Sequence, residues 1–534
     1  MSIYLIGTNL PLEILKIIES YLIAYDYRRH TWTQLSKNGN IKGLQWLRQR
    51  GIGKPSWNTF YAAIAWGSLE TLQWLFAFYP NTLNSLTSQR GYYITTSIQI
   101  AISNNHFEIV KWLFERFESS IRMDIFQPMY FAATNGNLDM IQWLFNQNFQ
   151  PPSSCIDEAA ANGHLTLLNW YAQHCPDLIG SSTAMNFAAE YGHLEIMTWL
   201  HSHRKSEPPT SLAMEFAARS GYLNILCWLQ QHYPQIECTT SAMNFAAGNG
   251  FLEIVEWLHI NRTEGCTKSA MDRAATNGHL NVVKWLHSHR SEGCTTNAMD
   301  CAAERGHLEI VQWLHYNRTE GCTFRAVDWA SDNGHFDVVK WLLETRTEGC
   351  SMRALAWAAE KKHFHICRWL LENKHCDWSV EFLYALAAND GFGLILSCPN
   401  LENLCKYSNE REQFLCDLVY SGNVVPFQWL ALEHPGLLIY TERCILTAIA
   451  YGFIDIIEFL FNFGKSTPSA YRCFIRALTS NELKSLEWLC QKFPHELEKS
   501  YGHFLEFLFS GSQSNDFIIY WMVKFAPKYF SKKP

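Results

Sequence analysis

Cys238, Cys266, Cys294, Cys322 and Cys350 stand 28 residues apart along the chain. Thiols at a fixed spacing have two familiar uses, zinc ligation and disulfide formation. A periodic set serves neither, because successive helical layers lie about 8–10 Å apart, a disulfide needs its Cα atoms within about 7 Å, and zinc needs four ligands converging on one point. The spacing therefore predicts small buried fillers at the layer turns, with no metal and no disulfide. Histidine repeats as well. His164, His193, His279, His307 and His335 each follow a glycine, and His201, His259, His287 and His315 each follow Trp-Leu. A catalytic histidine is a single group held beside a nucleophile or carboxylate, so a copy in every layer predicts a hydrogen bond to the neighbouring turn. Phosphate loops of the Walker type, G-x-S-x-G and H-E-x-x-H are all missing from the sequence, which leaves no catalytic residue and no cofactor or metal ligand to name. Asn261-Arg262-Thr263 and Asn317-Arg318-Thr319 match a glycosylation acceptor but are ordinary copies of an inter-repeat turn.

The elements that carry these residues follow from composition and period. The chain has 534 residues, more than one hydrophobic core usually organises, and with 48% hydrophobic and 17% charged residues it must fold. A net charge of −7 without long runs of one sign argues against nucleic acid as a partner. No uninterrupted apolar run approaches a spanning helix, Leu446–Phe461 being broken by Asp455 and Glu458, so no membrane partner is expected. The first residues lack a basic start and a cleavage site, and 17 cysteines fit reduced thiols; the expectation is an intracellular protein, cytoplasmic or nuclear.

Trp-Leu or Trp-Tyr pairs recur from Trp46 to Trp488, and the step is 28 residues from Trp257 to Trp369. With Phe459-Leu460 in one position and a degenerate unit near Cys398, the chain holds about 16 units at a mean period of about 29 residues. Ala270–Asn297 shows the unit. Thr267 caps a first helix through Met271, Ala274 and Ala275, Asn277-Gly278 ends it, and Leu280, Val282, Val283, Trp285 and Leu286 mark a second helix. Paired alanines at 246–247, 274–275, 302–303 and 358–359 predict close helix approach. The fold class expected is all-α, an elongated solenoid of helix-turn-helix repeats in which the tryptophans sit between layers.

The AA-x-x-GH-L-x-x-V-V-x-W-L core, as in Ala302–Leu314, resembles the ankyrin repeat over roughly residues 36–530. The unit is shorter than the 33 residues of that family, so its projecting β-hairpin is expected to be missing, and tetratricopeptide repeats, at 34 residues, fit less well. Four segments are expected: 1–35 as an F-box-like or capping segment, 36–383 as ankyrin-type repeats, 384–425 as degenerate repeats or a joint near Pro399, and 426–534 as C-terminal repeats and cap. The first segment carries Leu10, Pro11, Ile14, Leu15, Ile18 and Leu22 in a pattern that resembles the opening half of an F-box. That resemblance implies a Skp-type adaptor as partner and an adaptor-binding role for those six residues. The same apolar face could instead cover the first repeat as an end cap. The basic, aromatic stretch Lys524–Lys533 reads as a solvated tail.

One position varies against this regular frame. The residue before the paired alanines is Phe187, Phe216, Phe245, Arg273, Cys301, Trp329 and Trp357 in successive units. The ankyrin resemblance places it on or near the concave partner surface, and arginine and aromatic residues dominate interface energetics. The partner-binding residues expected are Arg273, Phe324, Arg325, Trp329, Arg353 and Trp357, while Phe187, Phe216 and Phe245 read more as core. The function expected is non-catalytic protein binding, in its specific form a substrate receptor linking a target protein to a Skp-cullin ubiquitin ligase. The alternatives are a plain scaffold or inhibitor without a ubiquitin link, and an enzyme built from scattered residues.

Overall fold

The computed structural model describes residues 32–493 apart from 50, 52–53, 80–89, 118–126, 204, 440–441, 464–466 and 481. The F-box-like residues Leu10 to Leu22 and the basic tail lie outside the described residues. Among the described residues the chain is all-α: 33 helices form 16 antiparallel pairs, with Leu401–Leu404 as an extra turn, and an isolated bridge between Gly180 and Ser206 takes the place of any strand. No β-hairpin projects from these turns.

The unit folds as its residues dictate. Thr267 caps Lys268–Thr276, its hydroxyl accepting from the Ser269 N–H; Gly278 turns the chain at φ +89°, and Leu280–His289 returns. Ala274, Ala275, Val282, Val283 and Leu286 are buried, so each pair closes its own core and leaves one flank for the next. Among the described residues two compact units result, one of residues up to 246 with 253–265 and one of residues 247–252 with those from 266 on. In the first, Pro128–Asn135, Ser154–Ala161, Ser182–Glu190 and Ser211–Ser220 pack in sequence; in the second, Lys268–Thr276, Asn297–Glu304, Arg325–Asp332 and Arg353–Glu360 do the same. The alanine pairs on these helices are fully buried, which sets the close spacing that larger side chains would deny.

One expectation changes. In the regular middle repeats the tryptophans are not enclosed between layers: Trp285 and Trp313 are half-buried, Trp285 stacked on His289 at 4.5 Å and Trp313 edge-on to His287 of the preceding layer at 5.1 Å, whereas Trp170 and Trp199 are buried. On a second helix the inward stripe is taken by Val282, Val283 and Leu286, which turns the indole toward the rim. In the segment expected to hold degenerate repeats or a joint, the second helix of the pair shrinks to Phe392–Ile395, and the first helices Val380–Ala388 and Ser408–Tyr420 pack together.

The histidine after each turn glycine does reach the neighbouring layer. His164 Nε2 meets the Thr134 carbonyl at 3.0 Å, and His106, which follows the left-handed Asn105 in the same place, meets the Ala65 carbonyl at 3.1 Å. The ring also explains the glycine it covers. At Gly306, with φ +77°, a Cβ would come within 2.6 Å of His335 Nδ1, so the turn needs both the left-handed backbone and the missing side chain.

Candidate interaction surface

Two ladders tie each layer to the next and define which face remains free. The first uses the acidic residue of Ala-Met-Asp. Thr295 donates its backbone N–H and its hydroxyl to Asp272 at 2.8 Å each, Thr323 donates the same pair to Asp300 at 2.7 Å each, and Ser351 donates to Asp328 at 2.8 and 2.5 Å. Burial pushes all three carboxyls above their ordinary value, against the lowering effect of these donors. In the first unit Asp157 holds Ser181 in this way, and Asn186 substitutes for Asp by accepting the Thr210 N–H at 3.0 Å while donating Nδ2–H to the Thr210 hydroxyl at 2.9 Å.

The second ladder is made by the Arg-x-Glu turn. Arg290 pairs with Glu292 and Arg318 with Glu320, both at 2.5 Å; Arg346 pairs with Glu348 in the same way. Hydrogen bonding from Arg318 holds the Glu320 carboxyl down at about 2. Carboxylates of this turn reach back to the layer before: Cys238 N–H donates to Glu264 at 3.0 Å and Cys294 N–H to Glu320 at 3.2 Å. The guanidinium donates backward as well, Arg318 to His287 Nδ1 at 3.3 Å and Arg346 to His315 Nδ1 at 2.8 Å. The periodic cysteines thus fill the turn under an ion pair, and burial pushes Cys294 up to about 12 and Cys238, Cys266 and Cys322 up to about 11. Among the described residues no three His, Cys, Asp or Glu side chains converge on a metal position. Among the described residues thiols of successive layers do meet at two places, Cys350 with Cys376 at 2.7 Å and Cys416 with Cys444 at 3.4 Å between sulfurs.

With the turns so occupied, the exposed variable groups lie on the first helices of the second unit. Arg273 is exposed and donates Nε–H to Ser269 Oγ at 3.0 Å. Arg325 lies 5.7 Å from the centre of the half-buried Trp329 ring, and Arg353 lies 5.8 Å from Trp357 in the next layer. An apolar residue precedes each arginine, Phe324 at 48% and Met352 at 65% exposure. The fold therefore repeats one cluster, apolar tip, guanidinium and indole, on two helices that pack side by side. The spacing puts Arg and Trp at i and i+4, one turn apart on the same face.

In the first unit Phe187, Phe216 and Phe245 are half-buried rather than core. Phe187 stacks on Phe216 at 6.2 Å, and Arg219 lies 5.0 Å from Phe216 and 6.0 Å from Phe245 while pairing with Glu190. The position before the paired alanines points out of the core in every one of these layers, because the residues on either side of it already fill the inward stripe. Arg219 escaped the sequence reading; its signal was the i, i+3 spacing to Phe216.

Sixteen helix pairs with small-residue helix contacts and turn ladders define a helix-turn-helix repeat protein. More particularly, the family model for ankyrin repeats matches residues 59–154, 243–328 and 298–382 of the chain. Repeats of this kind are protein-interaction scaffolds and are typically non-catalytic. None of the curated proteins matches the chain. Among solved structures, similarity is found to the pentatricopeptide repeat protein PPR10 in complex with an 18-nt psaJ RNA element, at 10% identity and TM-score 0.34 over 91% of this chain and 77% of that one. PPR10 from maize gives 10% identity and TM-score 0.31 over 89% and 84%. No helix among the described residues is long and apolar enough to cross a membrane.

Proposed function

We propose that this chain is a non-catalytic receptor that holds a protein partner on the first helices of its second unit. The observation that carries the reading is the repeated cluster of Phe324, Arg325 and Trp329 and of Met352, Arg353 and Trp357, with Arg273 on the same row. An exposed apolar tip beside a guanidinium stacked on an indole contributes little to folding, yet it supplies the residue types that become interface hot spots. The supporting argument is economy: no hydrogen bond of either ladder described above runs through the side chains of these two clusters, Arg325 and Arg353 acting on Asp300 and Asp328 only by their charge.

In its specific form, residues 10–22 grip a Skp-type adaptor and the repeats present the target to a ubiquitin ligase. The Leu10, Pro11, Ile14, Leu15, Ile18 and Leu22 pattern supports that half of the proposal. A scaffold without the ligase link is the competing reading.

Two experiments test these halves separately. For the surface, the partner captured by the full-length wild type is measured against Arg325→Glu and Trp329→Ala chains. Each is expected to weaken binding at least tenfold, about 1.4 kcal/mol, with an unchanged melting curve; full affinity in both would move the surface elsewhere. For the adaptor, a purified Skp-type protein is expected to bind the wild type and not the Ile14→Asp/Ile18→Asp chain, because docking would have to desolvate both new charges. A wild type that never binds it abandons the ligase link and leaves the scaffold.

A further inference from the structure

The turn ladder contains one substitution. Successive periodic cysteines face the glutamate of the following turn, Cys238 with Glu264, Cys266 with Glu292, Cys294 with Glu320 and Cys322 with Glu348. At the next turn the residue 28 positions beyond Glu348 is Cys376. Cys350 therefore meets a second thiol where its predecessors meet a carboxylate. The sulfurs are 2.7 Å apart and neither residue is fully buried. Backbone carbonyls lie nearby, His375 O at 3.7 Å from Cys350 Sγ and Ser351 O at 3.9 Å from Cys376 Sγ, and the Asp328 and Asp377 carboxylates act on the pair from further off.

We propose that Cys350 and Cys376 form a reversible thiol–disulfide pair that hydroperoxides oxidise, stapling two successive turns of the second unit. The Cys350 thiolate attacks one peroxide oxygen, the O–O bond breaks, and hydroxide leaves and takes up a proton, giving a sulfenic acid at Cys350. Cys376 sulfur then attacks the Cys350 sulfur. Its S–OH bond breaks and the leaving oxygen departs as water with the Cys376 proton. Two thiols and one hydrogen peroxide thus give one disulfide and two waters, and a dithiol reductant reverses the change by exchange. The hydrogen bond between the two thiols holds Cys350 below its ordinary value against burial and the Asp328 carboxylate, whereas burial raises the other four cysteines of its register. A lowered, reachable thiol beside a resolving thiol is the combination that oxidation selects. The chain supplies its own contrast. Cys416 and Cys444 also approach, at 3.4 Å, but both are buried within packed first helices, where a peroxide has no path.

The consequence falls on the turn that carries Ser351, Met352 and Arg353, whose free end the disulfide would tie to the following layer. The inference rests on the thiols alone and survives if the partner surface lies elsewhere. The test treats the full-length protein with hydrogen peroxide, blocks remaining thiols with N-ethylmaleimide, and maps peptides by mass spectrometry without reduction. The expected result is a peptide pair joined through Cys350 and Cys376 that dithiothreitol separates. Cys416 and Cys444 should stay unlinked. In the Cys376→Ser chain dimedone should label Cys350, and in the wild type iodoacetamide should modify Cys350 at least tenfold faster than Cys294. Wild-type mapping decides the matter even if a variant fails to fold: Cys350 and Cys376 both carrying N-ethylmaleimide, at a peroxide dose that already oxidises the exposed Cys227, overturns the proposal.

Discussion

Leu314→Ala is expected to lower local stability by about 3 kcal/mol, and the neighbouring Trp313→Ala by only about 1–2 kcal/mol, although tryptophan is the larger side chain. Leu314 is 1% exposed, on the inward stripe of Leu308–Asn317 with Ile310 and Val311. Its truncation leaves a cavity that the alanine pair Ala302-Ala303 across from it cannot fill, because those residues already define the closest approach of the first helices. Trp313 keeps one edge in solvent and meets His287 at the other, so removing it exposes a rim rather than emptying a core. Stacked repeats open locally before they unfold globally, so the measurement is amide hydrogen exchange on the full-length chain, read over residues 297–317. Leu314→Ala should reduce protection there by about a hundredfold at constant pH, with Trp313→Ala losing at most about thirtyfold. Equal losses, or a larger loss for the tryptophan, would mean that the indole and not the aliphatic stripe closes each layer.

That ordering shows where the sequence was legible and where it was not. Helix phase, caps and turns were readable because they are local: Thr267 at the cap, Gly278 at φ +89° and the start at Leu280 each follow from three or four neighbours. The depth of Trp313 was not, since a Trp-Leu pair has two apolar residues and only layer contact decides which one points inward. The same limit hid the ladders. Nothing in Ala-Met-Asp announces that its carboxylate serves the turn 23 residues ahead, and the Arg-x-Glu turn reads as solvated polar sequence until the preceding Cys and His are placed beside it. The candidate surface was partly legible, because Trp329 and Trp357 break a pattern that the core does not need broken. Phe187, Phe216 and Phe245 misled because phenylalanine is the usual core residue, and their mutual stacking half in solvent depends on three layers at once.

Asp300→Ala is expected to cost about 2–4 kcal/mol, while Asp300→Asn costs under about 1 kcal/mol. Asp300 is 1% exposed and accepts two bonds from Thr323; alanine would leave that N–H and hydroxyl buried without an acceptor. Asparagine can restore both, as Asn186 does for Thr210, its carbonyl taking the N–H and its amide reversing the sense of the bond to the hydroxyl. The pair of variants therefore separates hydrogen bonding from charge. Burial raises the folded-state value of Asp272, Asp300 and Asp328, and carries Asp417 up to about 6. A raised acid binds protons more tightly in the folded chain, so its contribution is fully present below the ordinary carboxylate value of about 4 and is lost as pH rises through the folded value. The Arg-x-Glu turns act in the opposite sense. Glu292, Glu320 and Glu348 are held low by their arginines, so their contribution is present above the ordinary value and is lost as pH falls toward about 2. The two ladders together place the stability maximum of the second unit on the acid side of neutrality, with a decline above the ordinary carboxylate value of about 4 that belongs to the aspartates. Urea melts of the full-length protein on both sides of that value should show Asp300→Asn declining less steeply than the wild type, and Glu320→Gln changing only the limb below about pH 4. If Asp300→Asn matched Asp300→Ala in stability, or kept the wild-type slope, the carboxylate ladder would not be the element that holds successive layers in register.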